Sequence, residues 1–331
     1  MTGLERAGSV QGARGQQDRT VLRLRVAHKQ FLSRDVVGVT LASTGPRLPA
    51  WTAGAHVTLM LPSGLERQYS LCGPVDDAFA WRIAVLREPD SRGGSSYVHD
   101  ELEVGDVLEV RAPRNNFPLA NARRYVFVAG GIGITPFIPM LAEADRAGAE
   151  WDLHYGARDA ASFSFADVLR EYGTHRVHLV AQDCEGVLDL DAILGALAPG
   201  TQVYCCGPEG LLQAVEQRAS GWPPDMLHLE RFAPVGLGDD VADKPITVHL
   251  KTSGVRVEVE PAESILDAMV RHRIDAPSSC REGTCGTCET RVLSGTPDHR
   301  DSVLTPAEQA AGDYMMICVS RALGPEIELD A

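Results

Sequence analysis

Cys280, Cys285, Cys288 and Cys318 stand as C-x4-C-x2-C, with the fourth thiol after a further twenty-nine residues. That spacing places four thiolates on the two irons of a 2Fe-2S cluster, so the chain is read as moving electrons one at a time. The loop from Cys280 to Cys288 must wrap tightly to bring three sulfurs to such a centre while Cys318 closes its far side. Gly283 and Gly286 suit that wrapping, since residues without a Cβ take positive φ and let backbone N–H groups turn toward sulfur. A structural zinc site is the alternative, but zinc usually takes paired C-x2-C knuckles, and here one interval is four residues and the last ligand stands alone. A disulfide framework fits less well still.

A second group of residues has uses beside a flavin. In Arg67-Gln-Tyr69-Ser70-Leu71, Tyr69 can lie against an aromatic ring, Ser70 can bond its edge and Arg67 can neutralise a phosphate. The plain alternative is a strand end with Tyr69 packed in the core. Downstream, Arg92-Gly93-Gly94-Ser95-Ser96 bares its backbone at the start of a short helix running to about Leu102, a ready cradle for an anion.

A third group points to a dinucleotide. Gly130-Gly131-Ile132-Gly133-Ile134-Thr135-Pro136 follows an apolar run and opens a helix, aiming N–H groups at a diphosphate. Pro136 stands where the strict G-x-G-x-x-G fingerprint has its last glycine, so a true Rossmann site is not inferred. Cys206-Gly207-Pro208 sits where a later strand meets a helix, and a small thiol there could lie beside a nicotinamide. Cys205 and Cys206 must point to opposite faces, so at least one is read as an ordinary buried thiol, and Cys72 and Cys184 as structural.

Three rhythms of sequence would hold these residues in place. Short alternating strands are expected at Val21 to His28, Val36 to Ala42, His56 to Leu61, Trp81 to Arg87 and Val107 to Arg111, as in an antiparallel barrel or sandwich. After Ala120, strands at Tyr125 to Ala129, Trp151 to Tyr155, Arg176 to Val180, Gln202 to Cys206 and Met226 to Leu229 alternate with helices. Those helices are expected at Pro136 to Ala147, Phe165 to Tyr172, Leu190 to Leu197 and Glu209 to Ala219, which together predict a parallel sheet covered on both faces. The stretch 233–244, rich in Gly, Asp and Pro, reads as a linker. Beyond it come a hairpin, Ile246 to Leu250 with Val255 to Val259, a helix over Ser264 to Arg273, and the cysteine loop.

The whole chain has 331 residues, 44% apolar composition and a formal charge of −14. That size suits two or three domains, and the absence of basic runs interleaved with aromatics argues against nucleic acid. From Pro245 onward 14 acids face 8 bases, an acidic face that could steer a basic docking partner. Residues 1–16 are expected to be a disordered leader without a signal peptide's apolar segment, and the cysteine usage points to the cytoplasm. Tyr125 to Ala142 carries no charge for eighteen residues, yet its three glycines and two prolines break it into strand, turn and helix rather than a membrane span.

Arg67-x-Tyr69-Ser70, Gly93-Gly94-Ser95-Ser96, Gly131-x-Gly133-x-Thr135-Pro136, Cys206-Gly207-Pro208, Glu230-Arg231-Phe232 and the four-cysteine tail, in this order, resemble the phthalate dioxygenase reductase family, vanillate demethylase reductase components included. The resemblance implies a multidomain chain: an FMN-binding β-barrel over 17–118, an NAD-binding α/β domain over 119–232, and a C-terminal β-grasp 2Fe-2S ferredoxin over 245–331. It implies Arg67, Tyr69 and Ser70 at the flavin, Val85, Leu86 and Arg87 along its ring, and Gly93, Gly94, Ser95 and Ser96 at its phosphate. Thr135, Cys206 and Phe232 would meet at the flavin–nicotinamide interface, with Phe232 stacked over the ring. Gly131, Gly133, Pro136, Gly207, Pro208 and Arg158 would serve the dinucleotide, and NADH is expected over NADPH although Arg158-Asp159 offers one residue suited to each. No side chain is expected to act as acid or base. The implied partner is a terminal oxygenase, either a Rieske-type aromatic dioxygenase or O-demethylase, or a haem-thiolate monooxygenase. A non-catalytic redox sensor is the reading from a different class, and a monomer is the default state.

Overall fold

The computed structural model describes residues 20–89, 91–223, 225–233 and 243–331. The leader expected over 1–16 and most of the expected linker fall outside the described residues.

Six strands form the first sheet: β1 (Val21–Ser33), β2 (Val36–Ala42), β3 (His56–Met60), β4 (Glu66–Ser70), β5 (Ala80–Leu86) and β6 (Val107–Arg114). All pairings are antiparallel, in the order β4-β3-β6-β1-β2-β5. A bridge from Leu71 to Ile83 joins the two edges, closing the sheet into a barrel filled by Leu24, Val39, Leu59, Trp81 and their neighbours. β1 runs five residues past its expected end, with register shifts after Val26 and Phe31, because such bulges let one strand bend around the barrel.

Next comes a wholly parallel sheet of β7 (Arg124–Gly130), β8 (Glu150–Ala157), β9 (Val177–Ala181), β10 (Thr201–Cys206) and β11 (Leu227–Glu230). Its order, β11-β10-β7-β8-β9, reverses direction between β7 and β10, and the crevice beyond their carboxyl ends is where such sheets take ligands. Alternation along β7 sends Tyr125, Phe127 and Ala129 into one core and Val126 and Val128 into the other. The helices Phe137–Arg146 and Ala166–Arg170 cover the first core, and Leu190–Leu194 and Glu209–Arg218 the second. Two of these four helices are three residues shorter than expected. Phe165, at φ 61°, is an N-cap rather than a helical residue, and Gly195 caps the helix that was expected to reach Leu197. Tyr204 ties this sheet to the barrel's exit: its Oη donates to Pro118 O at 3.0 Å and accepts from Ala120 N at 2.7 Å.

The third sheet takes β12 (Ile246–Leu250), β13 (Val255–Val259) and β14 (Glu289–Ser294), then, past the two-residue β15 (Pro297–Asp298), β16 (Tyr314–Met316). After the short β17 (Arg321–Ala322), which pairs only with β15, comes β18 (Glu326–Leu329). The order is β13-β12-β18-β14-β16. The helix Ile265–Arg271 packs Ile265, Leu266 and Met269 on it, and Ser264 caps that helix by accepting from Asp267 N at 3.0 Å. A mixed sheet grasping one helix is the ferredoxin architecture expected. No helix among the described residues is long and apolar enough to cross a membrane.

Candidate active site

β4 is an edge strand whose alternation divides its work. Arg67 and Tyr69 share the face of Val57 and Leu59, while Gln68 and Ser70 share the face of His56 and Thr58. Arg67 lies along the turn at Gly94, where a Cβ would stand 2.7 Å from its Cγ and Nε, and its Nη2 donates to Arg92 O at 3.4 Å. Gly93, at φ 91°, supplies the left-handed residue that turns the chain into the helix Gly94–Asp100. The structure therefore brings Arg67, Gly93 and Gly94 together as a cationic corner with bare backbone. Ser95 turns away from that corner: its Oγ accepts from Glu88 N at 3.2 Å and donates to Ser91 Oγ at 3.0 Å. Ser96 N is likewise taken by Ser91 Oγ, at 3.2 Å.

Tyr69 is half-buried, and burial pushes its phenol up to about 12, so it stays neutral. Ser70 Oγ is buried without a protein partner among the described residues. His56, directly opposite in β3, also buries an unpartnered Nε2, and burial pushes this imidazole down to about 4. His56 is not legible in the sequence, because one histidine on an alternating strand carries no signal of its own. Of the run Val85 to Arg87, Val85 points into the barrel core, and its carbonyl meets His99 Nε2 at 2.9 Å. Leu86 is half-buried, and Arg87 pairs with Asp100 at the surface.

At the switch point, the turn after β7 rests on the loop after β10. A Cβ at Gly133 would stand 2.2 Å from Cys206 O, and one at Gly207 would stand 2.9 Å from Gly130 Cα. Thr135 is buried and donates to Ile132 O at 3.0 Å, holding the turn, and Pro136 caps the following helix instead of opening it. Pro208, extended, caps the helix after Cys206-Gly207 in the same way. Cys206 is fully buried with its Sγ 3.9 Å from Glu230 Oε2, and burial pushes the thiol well up and Glu230 up to about 8. Cys205 faces the opposite core, as alternation requires. Two residues beyond β11, the Phe232 ring is 44% exposed.

Arg158, past the end of β8, is exposed and its guanidinium has no partner among the described residues. Asp159 beside it bonds Ser162 Oγ, Ala161 N and the Arg34 guanidinium, and the Ser162 bond foremost holds it below the usual carboxylate range. Cys72 is buried, whereas Cys184 is exposed, correcting its expected structural role: it sits on the polar helix Gln182–Glu185, which has no core to face.

The four sulfurs of the cysteine loop are buried, with Cys285 only 3% exposed. Glu282 N donates to Cys280 Sγ at 3.3 Å, and Gly283 and Gly286 hold φ of 71° and 74°. The thiols share protons: bonds from Cys285 and Cys318 pull Cys280 down, and Cys318 is pushed up in return.

The loop is seated on the outer wall of the barrel. Gln68 Nε2 donates to Ser279 Oγ at 2.8 Å, and Arg92 pairs with Glu282. Arg114 Nη1 donates to Thr287 Oγ1 at 2.6 Å and Cys285 O at 3.3 Å, and Asn116 Nδ2 donates to Cys285 O at 3.1 Å. These contacts join residues 169 to 211 positions apart, and nothing in the local sequence announces them.

Residues 248–323 match the 2Fe-2S iron-sulfur cluster binding domain family, and residues 114–225 match the N-terminal domain of dimethylamine monooxygenase subunit DmmA-like proteins. Phthalate dioxygenase reductase of Burkholderia cepacia is 37% identical over 320 residues, covering 95% of this chain and 98% of its own. The beta subunit of a heme-dependent oxidative N-demethylase from Ectopseudomonas mendocina (strain ymp) is 39% identical, over 94% of this chain and 99% of its own. A solved phthalate dioxygenase reductase, described as modular for electron transfer from pyridine nucleotides to a 2Fe-2S centre, superimposes with TM-score 0.70 at 36% identity, covering 96% of this chain and 99% of that one. An intact type IV self-sufficient cytochrome P450 monooxygenase superimposes with TM-score 0.88 at 41% identity over 99% of this chain, which spans 43% of that longer one.

Proposed function

The chain belongs to the phthalate dioxygenase reductase family, and from that premise we propose how its residues carry electrons from NADH, through FMN and a 2Fe-2S cluster, to a partner oxygenase. FMN supplies the conversion between a hydride, which is two electrons, and a cluster that takes one at a time. The observation that carries the reading is a shared wall. β4 presents Arg67 and Tyr69 on one face, and its intervening Gln68 bonds Ser279, the neighbour of Cys280.

Arg67 and the bare backbone of Gly93 and Gly94 hold the flavin phosphate, the contact in which a guanidinium is most effective. Ser70 Oγ, left without a protein partner, bonds the flavin edge, and the neutral Tyr69 lies against the ring. Gly133 and Gly207 let the two loops at the switch point approach closely enough to seat nicotinamide beside Cys206. Phe232, half exposed, covers that seat and yields to the incoming ring. Arg158 reaches toward the nucleotide, while the ionised Asp159 beside it disfavours a second phosphate on the ribose, in keeping with NADH. None of these groups needs to act as an acid or base. Their share is orientation and exclusion of water.

The partner is a Rieske-type aromatic dioxygenase or O-demethylase on this reading. A haem-thiolate monooxygenase is the second reading, favoured by the likeness to the self-sufficient cytochrome P450. Eight cysteines without a disulfide suit work in the cytoplasm, where thiols stay reduced. An anaerobic NADH titration followed by absorbance and electron paramagnetic resonance tests the path: flavin bleaching followed by a reduced-cluster signal is expected. A chain that binds both centres yet leaves the cluster oxidised overturns it. Presenting the reduced protein to purified oxygenases of each class separates the two partner readings.

A further inference from the structure

The contacts that seat the cluster loop include one that reaches a ligand sulfur. Arginine carries only donors, so the 2.6 Å contact from Arg114 Nη1 makes Thr287 Oγ1 the acceptor. The hydroxyl keeps its own proton, and Cys285 Sγ lies 3.1 Å from the same oxygen. As a cluster ligand Cys285 is a thiolate, which can only accept. The direction of both bonds is thereby settled: Arg114 donates to Thr287, and Thr287 donates to the Cys285 sulfur. Arg114 and Asn116 also hold Cys285 O, at 3.3 and 3.1 Å, fixing the peptide that carries the sulfur.

A hydrogen bond onto a ligand sulfur stabilises the more negative, reduced cluster and raises its potential. Arg114 closes β6 of the barrel, whereas Thr287 and Cys285 belong to the ferredoxin sheet's loop, so the relay is complete only across the contact between them. We infer that Arg114 is a positioning residue that, through Thr287, aims a hydrogen bond at Cys285 and raises the cluster's reduction potential while the cluster loop is seated on the barrel. The seated cluster is then the better acceptor for an electron leaving the flavin, which NADH has already supplied, and no other reductant enters. Away from the barrel the same cluster is the better donor. By linkage, reduction tightens the seat by the factor that seating favours reduction. This inference rests on the reading of flavin and cluster given above.

The test is a mediated spectroelectrochemical titration of the full chain with both centres loaded, comparing wild type, Arg114→Gln, Thr287→Val and the double variant. Each single substitution is expected to shift electrons off the cluster about tenfold, 59 mV for a one-electron couple. The double variant should go no further than either single, because both cut one relay. Thr287→Ser, which keeps the hydroxyl, should retain the wild-type potential, and it keeps the comparison decisive if Arg114→Gln loses its cluster. An unchanged potential in Arg114→Gln, additive shifts in the double variant, or a shifted potential in Thr287→Ser each overturn the relay. Failure of NADH to bleach the wild-type flavin would instead sink the functional reading, since mediators deliver electrons without NADH.

Discussion

Gly133→Ala puts the switch-point geometry to its most direct trial. The added Cβ would stand 2.2 Å from Cys206 O, 2.4 Å from Cys206 C and 2.7 Å from Gly207 N, against 3.4 Å for ordinary contact. All three atoms are backbone, and β10 is hydrogen-bonded to strands on both sides, so no rotamer change can relieve the clash. The two loops must part by about 1 Å, and overpacking of this kind costs about 1–3 kcal/mol. The same displacement between reacting groups slows a chemical step about 100-fold. Gly131→Ala is the control: a Cβ there meets nothing within 4 Å, but φ is 55°, which costs about 1–2 kcal/mol in stability alone. Anaerobic stopped-flow reduction of the flavin by NADH, with a thermal melt of each variant, separates the two effects. Gly133→Ala should lose rate and Gly131→Ala chiefly melting temperature. Hydride transfer within about threefold of wild type in Gly133→Ala would refute the argument that close approach of these loops seats the nicotinamide.

Cys285→Ser should abolish the cluster's paramagnetic signal and delivery to an oxygenase yet keep flavin bleaching by NADH, and a variant that folds but no longer bleaches would break the division of labour. Arg67→Gln should weaken FMN binding about 10- to 100-fold, the worth of a charge-assisted bond to phosphate, as read by flavin fluorescence. Glu230 titrates at about 8 in the fold against 4.5 in an open chain, so the native state keeps a proton that the unfolded state releases. Stability should therefore fall as pH rises from about 4.5 to about 8 and level off beyond. Glu230→Gln should flatten that stretch of a chemical-denaturation series, and an unaltered slope would show that the carboxyl does not hold its proton.

The parts of the molecule that bury apolar side chains at a regular period were legible from the residues alone. β2, β7, β10, β12 and β13 lie where alternation placed them, and the helix after Pro136 differs from its expected span by one residue at each end. β4 carries a motif rather than an apolar alternation, because Glu66 pairs with Arg111, Arg67 lies along the turn at Gly94 and Gln68 bonds the cluster loop. The Gln182–Glu185 turn of helix is polar throughout and gives no period to follow. Candidate ligands stand out where chemistry demands a residue type at a spacing, as with the four cysteines. Val85 shows the limit, since a motif cannot say which face of its strand is inside the barrel. The seat of the cluster loop lay beyond reach for another reason: Arg114, Asn116 and His56 are ordinary residues until the fold sets a distant loop against them.

The central place of β18 in its sheet bears on how that sheet holds together. Residues Glu326–Leu329 lie between β12 and β14, parallel to the first and antiparallel to the second, so one short strand joins the two halves of that sheet. The hairpin of β12 and β13 stands on one side of it, and β14 and β16, which flank the cysteine pair Cys288 and Cys318, stand on the other. A chain cut before Glu326 would keep all four sulfurs yet lose the strand that binds those halves together.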